Sequence, residues 1–181
     1  PTLSLVEHLA SEEAAEEMIT RPEMRYMPKP VLNDWVKFKN DYIQREDFQP
    51  ENTASLVELR RELTKKLHEA GAGIVLGSDA PQFFNVPGFS IHHELEMMVN
   101  TGLSPYEVLV TGTKNAAEYF GTPEEFGTVQ QGRRADLILL NANPLEDITN
   151  VQNRAGVMVR GLWYPEEKIG QKLKEIEERN K

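Results

Sequence analysis

The passage from residue 50 to residue 79 restricts the fold more than any other. Pro50 to Ala70 reads as a long amphipathic helix, with Leu56, Leu59, Leu63 and Leu67 on one face and Arg60, Arg61, Lys65 and Lys66 largely on others. Gly71-Ala72-Gly73 ends it, and Ile74-Val75-Leu76 follows without a polar residue. Such a run suits a parallel strand covered on both faces. A helix, a glycine turn and a buried strand make half of a βαβ unit, so the expected fold class is α/β. The run stops at Gly77-Ser78-Asp79-Ala80-Pro81, and a loop rich in Phe, Asn, Pro and Gly continues to Gly88.

On the amino-terminal side, Pro1 to Val6 reads as a short apolar strand, Ser11 as the cap of a helix reaching Ile19, and Val31 to about Ile43 as a second helix. Beyond the loop, helices are expected from Phe89 to Asn100, Ser104 to Val110 and Lys114 to Phe120. Ser104-Pro105-Tyr106-Glu107 carries a capping signature: the Ser accepts from the first turn, Pro fills the first helical position and Glu returns a bond to the cap nitrogen. After Gly121 the pattern turns to strands, at Gly127 to Val129, Ala135 to Leu140 and Ala155 to Val159, and Pro165-Glu166-Glu167 opens a charged tail helix. These shifts divide the chain into 1–121, 122–164 and 165–181.

Asp79 stands out chemically. A carboxylate just past the carboxyl end of a buried parallel strand lies where α/β folds build active sites. There it can ligate a divalent cation or accept a proton from an activated water, and it equally suits the capping of the turn before Ala80-Pro81. His92 and His93 follow on a helix beside Glu94 and Glu96. Metal-binding helices space their ligands by four, and Met97 occupies the fourth position after His93. Adjacent helical residues diverge by about 100°, so at most one histidine faces a site at Asp79, there to hold a substrate carboxylate or to orient Asp79. An ordinary pair of surface and half-buried histidines fits the same pattern. Glu7-His8 reaches the same rim, whereas His68 reads as structural. Trp35, Trp163 and Met97-Met98 read as core or interface residues.

Several classes fall away. The chain has no cysteine, which excludes disulfide scaffolds and cysteine nucleophiles. Its net charge of −9 has the wrong sign for nucleic acid or an anionic membrane surface. No apolar run approaches the roughly 20 residues that span a bilayer, so the expected setting is cytoplasmic. No Gly-x-Ser-x-Gly elbow or phosphate-binding loop is present, and Gly71-Ala72-Gly73 precedes a strand where a dinucleotide fingerprint opens a helix.

In order, these residues resemble the carboxyl-terminal part of the metal-dependent amidohydrolase superfamily, nearest to its imidazolonepropionase-like and Xaa-Pro-dipeptidase-like members. The resemblance runs through Leu67-His68-Glu69-Ala70-Gly71, Gly77-Ser78-Asp79-Ala80, His93-Glu94-Leu95 and Gly102 to Leu109. It continues with Thr113 to Ala117, Gly127-Thr128-Val129, Gly132 to Leu137 and Asn143 to Ile148. The resemblance implies a partial (β/α)8 TIM barrel, its last strands and helices only, followed by part of a small β-sandwich and a C-terminal helix. Pro1 to Val6 would be strand seven and Gly73 to Leu76 strand eight. It also implies hydrolysis of a C–N bond in a small-molecule amide, dipeptide or cyclic amide by metal-activated water, usually on zinc. Asp79 would be the metal-associated acid and base, and His92 or His93 would shape the substrate end.

The departures are informative. The only histidines are His8, His68, His92 and His93, so there is no His-x-His strand, and strands one to six have no counterpart. Catalytic zinc takes about three protein ligands, and one carboxylate does not suffice. The expectation is therefore a fragment, inactive alone, whose open strand edges pair with a missing N-terminal barrel segment or form a homo-oligomer. The other reading is a noncatalytic binding or assembly module on the same scaffold.

Overall fold

The computed structural model describes Pro1 to Lys181. Eight α-helices and one small sheet form it: α1 (Leu3–Ala10), α2 (Ala15–Met18), α3 (Lys29–Ile43), α4 (Pro50–Glu69), α5 (Ser90–Asn100), α6 (Pro105–Gly112), α7 (Lys114–Tyr119) and α8 (Glu166–Arg179). The strands β1 (Leu137–Leu140), β2 (Arg154–Val159) and β3 (Leu162–Pro165) make an antiparallel sheet in the order β1-β2-β3. No helix is long and apolar enough to cross a membrane.

The expected helices at α3 to α7 are found, and the Ser104–Glu107 capping box is formed in both directions. The amino terminus differs, because Leu3–Ala10 is helical where a strand was expected. The cause is distant in sequence: the buried carboxylate of Glu94 on α5 accepts the Leu3 and Ser4 backbone N–H groups at 2.9 Å each. Two donors that a helix start leaves unpaired are thus satisfied by another element. Ser11 closes α1 instead of opening the next helix, and α2 begins only at Ala15, with no side-chain cap. Gly127 to Val129 forms no ladder, and Val129 is exposed, while β3 was not foreseen.

Ile74-Val75-Leu76 joins no sheet either. The bonds it and its continuation make fall on alternate residues. Leu76 N–H donates to Thr111 O (3.2 Å), Ile74 O accepts from Asn115 Nδ2 (2.9 Å) and Ser78 O accepts from Asn85 Nδ2 (2.6 Å). Val75 and Gly77 make no backbone hydrogen bond. The expected buried strand is therefore not formed within these residues, whose partners are a helix carbonyl and two Asn side chains.

Two cores hold the molecule. Leu3, Ile74, Leu95, Met97, Met98, Leu103, Val108 and Ile148 form one. Met18, Met24, Trp35, Phe84 and Val86 dominate the other, which packs α2 and α3 against the loop after Asp79. On α4 the residues facing inward are Thr53, Val57 and Thr64, and the leucine stripe expected from its amphipathic pattern faces outward.

Candidate active site

Asp79 is exposed at the end of the Ile74–Ser78 run. Its Oδ2 accepts from Gln82 Nε2 at 2.9 Å, and no backbone N–H of the following turn reaches it, so the turn-capping geometry is not realised. Its φ is +57°, and Phe83 (+38°) and Phe84 (+68°) share the left-handed region. Three such residues within six positions cost on the order of 1–3 kcal/mol each and persist only where surroundings over-determine them. The surroundings do so here. Asn85, fully buried, donates to Ser78 O, and Ser78 Oγ lies 2.8 Å from Ser90 Oγ at the start of α5. Phe84 is buried 5.7 Å from the Trp35 ring.

A polar cluster adjoins this loop. His93 Nε2 on α5 lies 2.6 Å from Glu7 Oε2 on α1, and Glu7 Oε1 accepts from Arg61 Nη2 on α4 at 3.1 Å. The His93 ring stacks on His8 with centroids 5.7 Å apart and planes 4° from parallel. Arg21 Nη1 donates to His8 Nε2 (2.9 Å), which leaves the opposite N–H to donate from Nδ1 to Phe83 O (3.3 Å). That last bond ties the cluster to the Asp79 loop. Arg21 is itself held by Glu13 at 2.5 Å.

The electrostatics follow from this geometry. The bond from His93 holds Glu7 below the usual carboxylate range, with Arg61 assisting, and the same bond raises His93. Burial, then the Arg21 and His93 charges, push His8 down to about 3, so it stays neutral. His92 diverges as its helical position requires. Its Nδ1 is buried without a partner, and burial together with the Arg154 charge lowers its pKa. Neither histidine hydrogen-bonds Asp79; His93 reaches its loop through His8, and His92 does not. Glu94 serves as the cap of α1, and His68 bonds Glu107 at 3.0 Å, a structural role.

Zinc does not fit these donors. No three His, Asp or Glu side chains converge on one point. Both His8 nitrogens and both Glu7 oxygens are engaged, and the guanidiniums of Arg21 and Arg61 beside them oppose a dication. Asp79 stands alone. Arg21 and Arg61 are the site residues that sequence reading missed; nothing local to either marks its partner in α1.

The model of the amidohydrolase family matches residues 7–163. An imidazolonepropionase of Rubrobacter xylanophilus is 41% identical over 83 residues, which are 43% of this chain and 19% of that protein. A solved putative prolidase from Bifidobacterium longum is 32% identical with a TM-score of 0.60, over 77% of this chain and 35% of its own. The bottromycin amidohydrolase structure, 21% identical, matches the fold over 97% of this chain with a TM-score of 0.75, and 39% of its own length is covered. The chain thus spans well under half the length of the proteins it matches.

Proposed function

The chain belongs to the amidohydrolase family, and on that premise we propose that it carries part of the active centre of a hydrolase cleaving a C–N bond in an amide, dipeptide or cyclic amide. The observation that carries the reading is Asp79: an exposed carboxylate at the end of a half-buried run, in a left-handed conformation, on a loop pinned from three sides. In this role Asp79 takes a proton from the attacking water as its oxygen bonds the carbonyl carbon. It then returns that proton to the nitrogen as the C–N bond breaks.

His93 is the histidine we retain for the substrate end. It is half exposed, Glu7 fixes its Nε2, and its Nδ1 makes no hydrogen bond. The zinc that family resemblance implies would need ligands from outside residues 1–181. The open edge at Val75 and Gly77 supports a neighbouring strand from a missing N-terminal barrel segment or a second copy. The lack of convergent metal donors favours a second reading, a noncatalytic module on this scaffold.

The test is hydrolysis of a panel of dipeptides, N-acyl amino acids and cyclic amides by the polypeptide at its full natural length. Asp79→Asn should lower turnover by roughly 10²–10⁴. Undiminished turnover in that variant removes Asp79 from the chemistry, and absence of turnover in the unaltered protein across the panel supports the module.

A further inference from the structure

Phe83 and Phe84 part company. Phe84 enters the core beside Trp35, while Phe83 lies flat on α3, its ring 4.2 Å from that of Phe38 with planes 25° apart. Phe38 in turn stacks with Tyr42 at 6.3 Å and 11°, and Tyr42 meets the edge of Phe48 at 5.4 Å. Four aromatic rings thus line up from the Asp79 loop along α3, and Phe38 remains 41% exposed. At its far end the row opens into a cavity of about 310 Å³ lined by Tyr42, Phe48 and Leu56 and by the polar Arg45, Asp47, Gln49, Asn52 and Thr53. Its volume is at the lower end of the range of small-molecule sites.

The start of the row is fixed next to the chemistry. Gln82, which bonds the Asp79 carboxylate, immediately precedes Phe83, and the Phe83 carbonyl is held by His8. Phe83 and Phe84 both take left-handed φ values, and along this backbone the Phe83 ring lies on Phe38 while Phe84 is buried.

We propose that the shelf of Phe83, Phe38 and Tyr42 is a substrate subsite that takes a planar apolar group, so that the C–N bond presented to Asp79 belongs to a substrate with an aromatic side chain or acyl group. This rests on the reading of Asp79 as the reacting end. The exposed part of Phe38 supplies the selectivity, since an aromatic group that packs on it edge to face or offset contributes beyond its buried area.

The test is binding of N-acetyl-L-phenylalaninamide and N-acetyl-L-alaninamide to the polypeptide at its full natural length, followed by titration calorimetry. The aromatic probe should bind at least about tenfold more tightly, a difference on the order of 1.4 kcal/mol. Phe38→Ala and Phe83→Ala should each reduce the preference below about threefold, whereas Phe38→Tyr, which keeps the ring, should retain it. Equal binding of the two probes, or an undiminished preference in a folded Phe38→Ala protein, overturns the proposal. Phe38 is largely at the surface, and Phe38→Tyr covers the case in which Phe38→Ala fails to fold: loss of preference in that folded variant also counts against the shelf. Asp79→Asn should leave the preference intact, so failure of the catalytic role and failure of the subsite are read separately.

Discussion

His8 is the residue whose chemistry sets how the site responds to acid. It is held neutral in the fold, with its pKa moved from 6.5 to about 3, so the unfolded chain binds the proton more tightly. The stability it contributes is complete above pH 6.5 and is lost as pH falls toward 3, at about 1.4 kcal/mol per unit. His93 works oppositely. Its raised pKa gives stability that is full below 6.5 and is lost as pH rises through its folded value; Glu7, lowered, loses its contribution as pH falls through its own. Between pH 7 and 5 the His8 share should be about 2 kcal/mol. It is read as the difference in urea-derived stability change between the unaltered chain and His8→Gln. Equal pH dependence in the two would show that His8 is not kept neutral. At this scale the divergence of His92 from His93 was legible, because it depends on position within one helix, and the approach of Glu7-His8 to the Asp79 loop is found as expected although it spans 75 residues. The guanidiniums of Arg21 and Arg61 were not, since they meet α1 from elements 13 and 54 residues away from their partners.

Elements with self-contained instructions were read correctly, and those completed by distant residues were not. The Ser104–Glu107 box lies within four residues, and the helix it opens is where its sequence puts it. Ser104→Ala should lower stability by about 1 kcal/mol, measured as a shift of the urea midpoint. The start of α1 has no comparable local signal, because its acceptor is Glu94, 90 and 91 residues away. Glu94→Ala leaves two N–H groups unpaired and should cost about 2–4 kcal/mol. The loss should appear first as faster amide exchange across Leu3–Ala10. Exchange in α1 unchanged from that of the unaltered chain would mean that the helix holds without its distant cap. The contrast also explains the unforeseen β3: Leu162–Pro165 is short, and Trp163 lies over Gly156 on the neighbouring strand, a pairing visible only once the sheet exists.

For the whole molecule, apolar surface and unpaired backbone point outward at several places. Leu56, Leu59, Leu63 and Leu67 of α4 are 44–60% exposed, although an amphipathic helix ordinarily buries such a stripe. Their 3- and 4-residue spacing was plain in the sequence. Which side of α4 would face inward was not, because that is decided by what lies beside it: Arg60 on the adjoining side bonds Pro1 and Thr2, and Arg61 bonds Glu7 of α1. Ile138, Leu139 and Leu162 of the sheet are similarly exposed, although α8 packs against β2 and β3. The bottromycin amidohydrolase shares this fold over 97% of the chain while only 39% of its own length is matched, so in it there is more chain to lie against such surfaces. In this chain the leucine stripe should instead drive association. Leu59→Glu with Leu63→Glu, read by sedimentation velocity over a hundredfold range of concentration, should shift the protein toward monomer. Its unfolding stability should change by less than about 1 kcal/mol, since both side chains already face water. If the double variant associates as the unaltered chain does, the contact is made by another surface, and the open edge at Val75 and Gly77 becomes the next to block, by Val75→Pro.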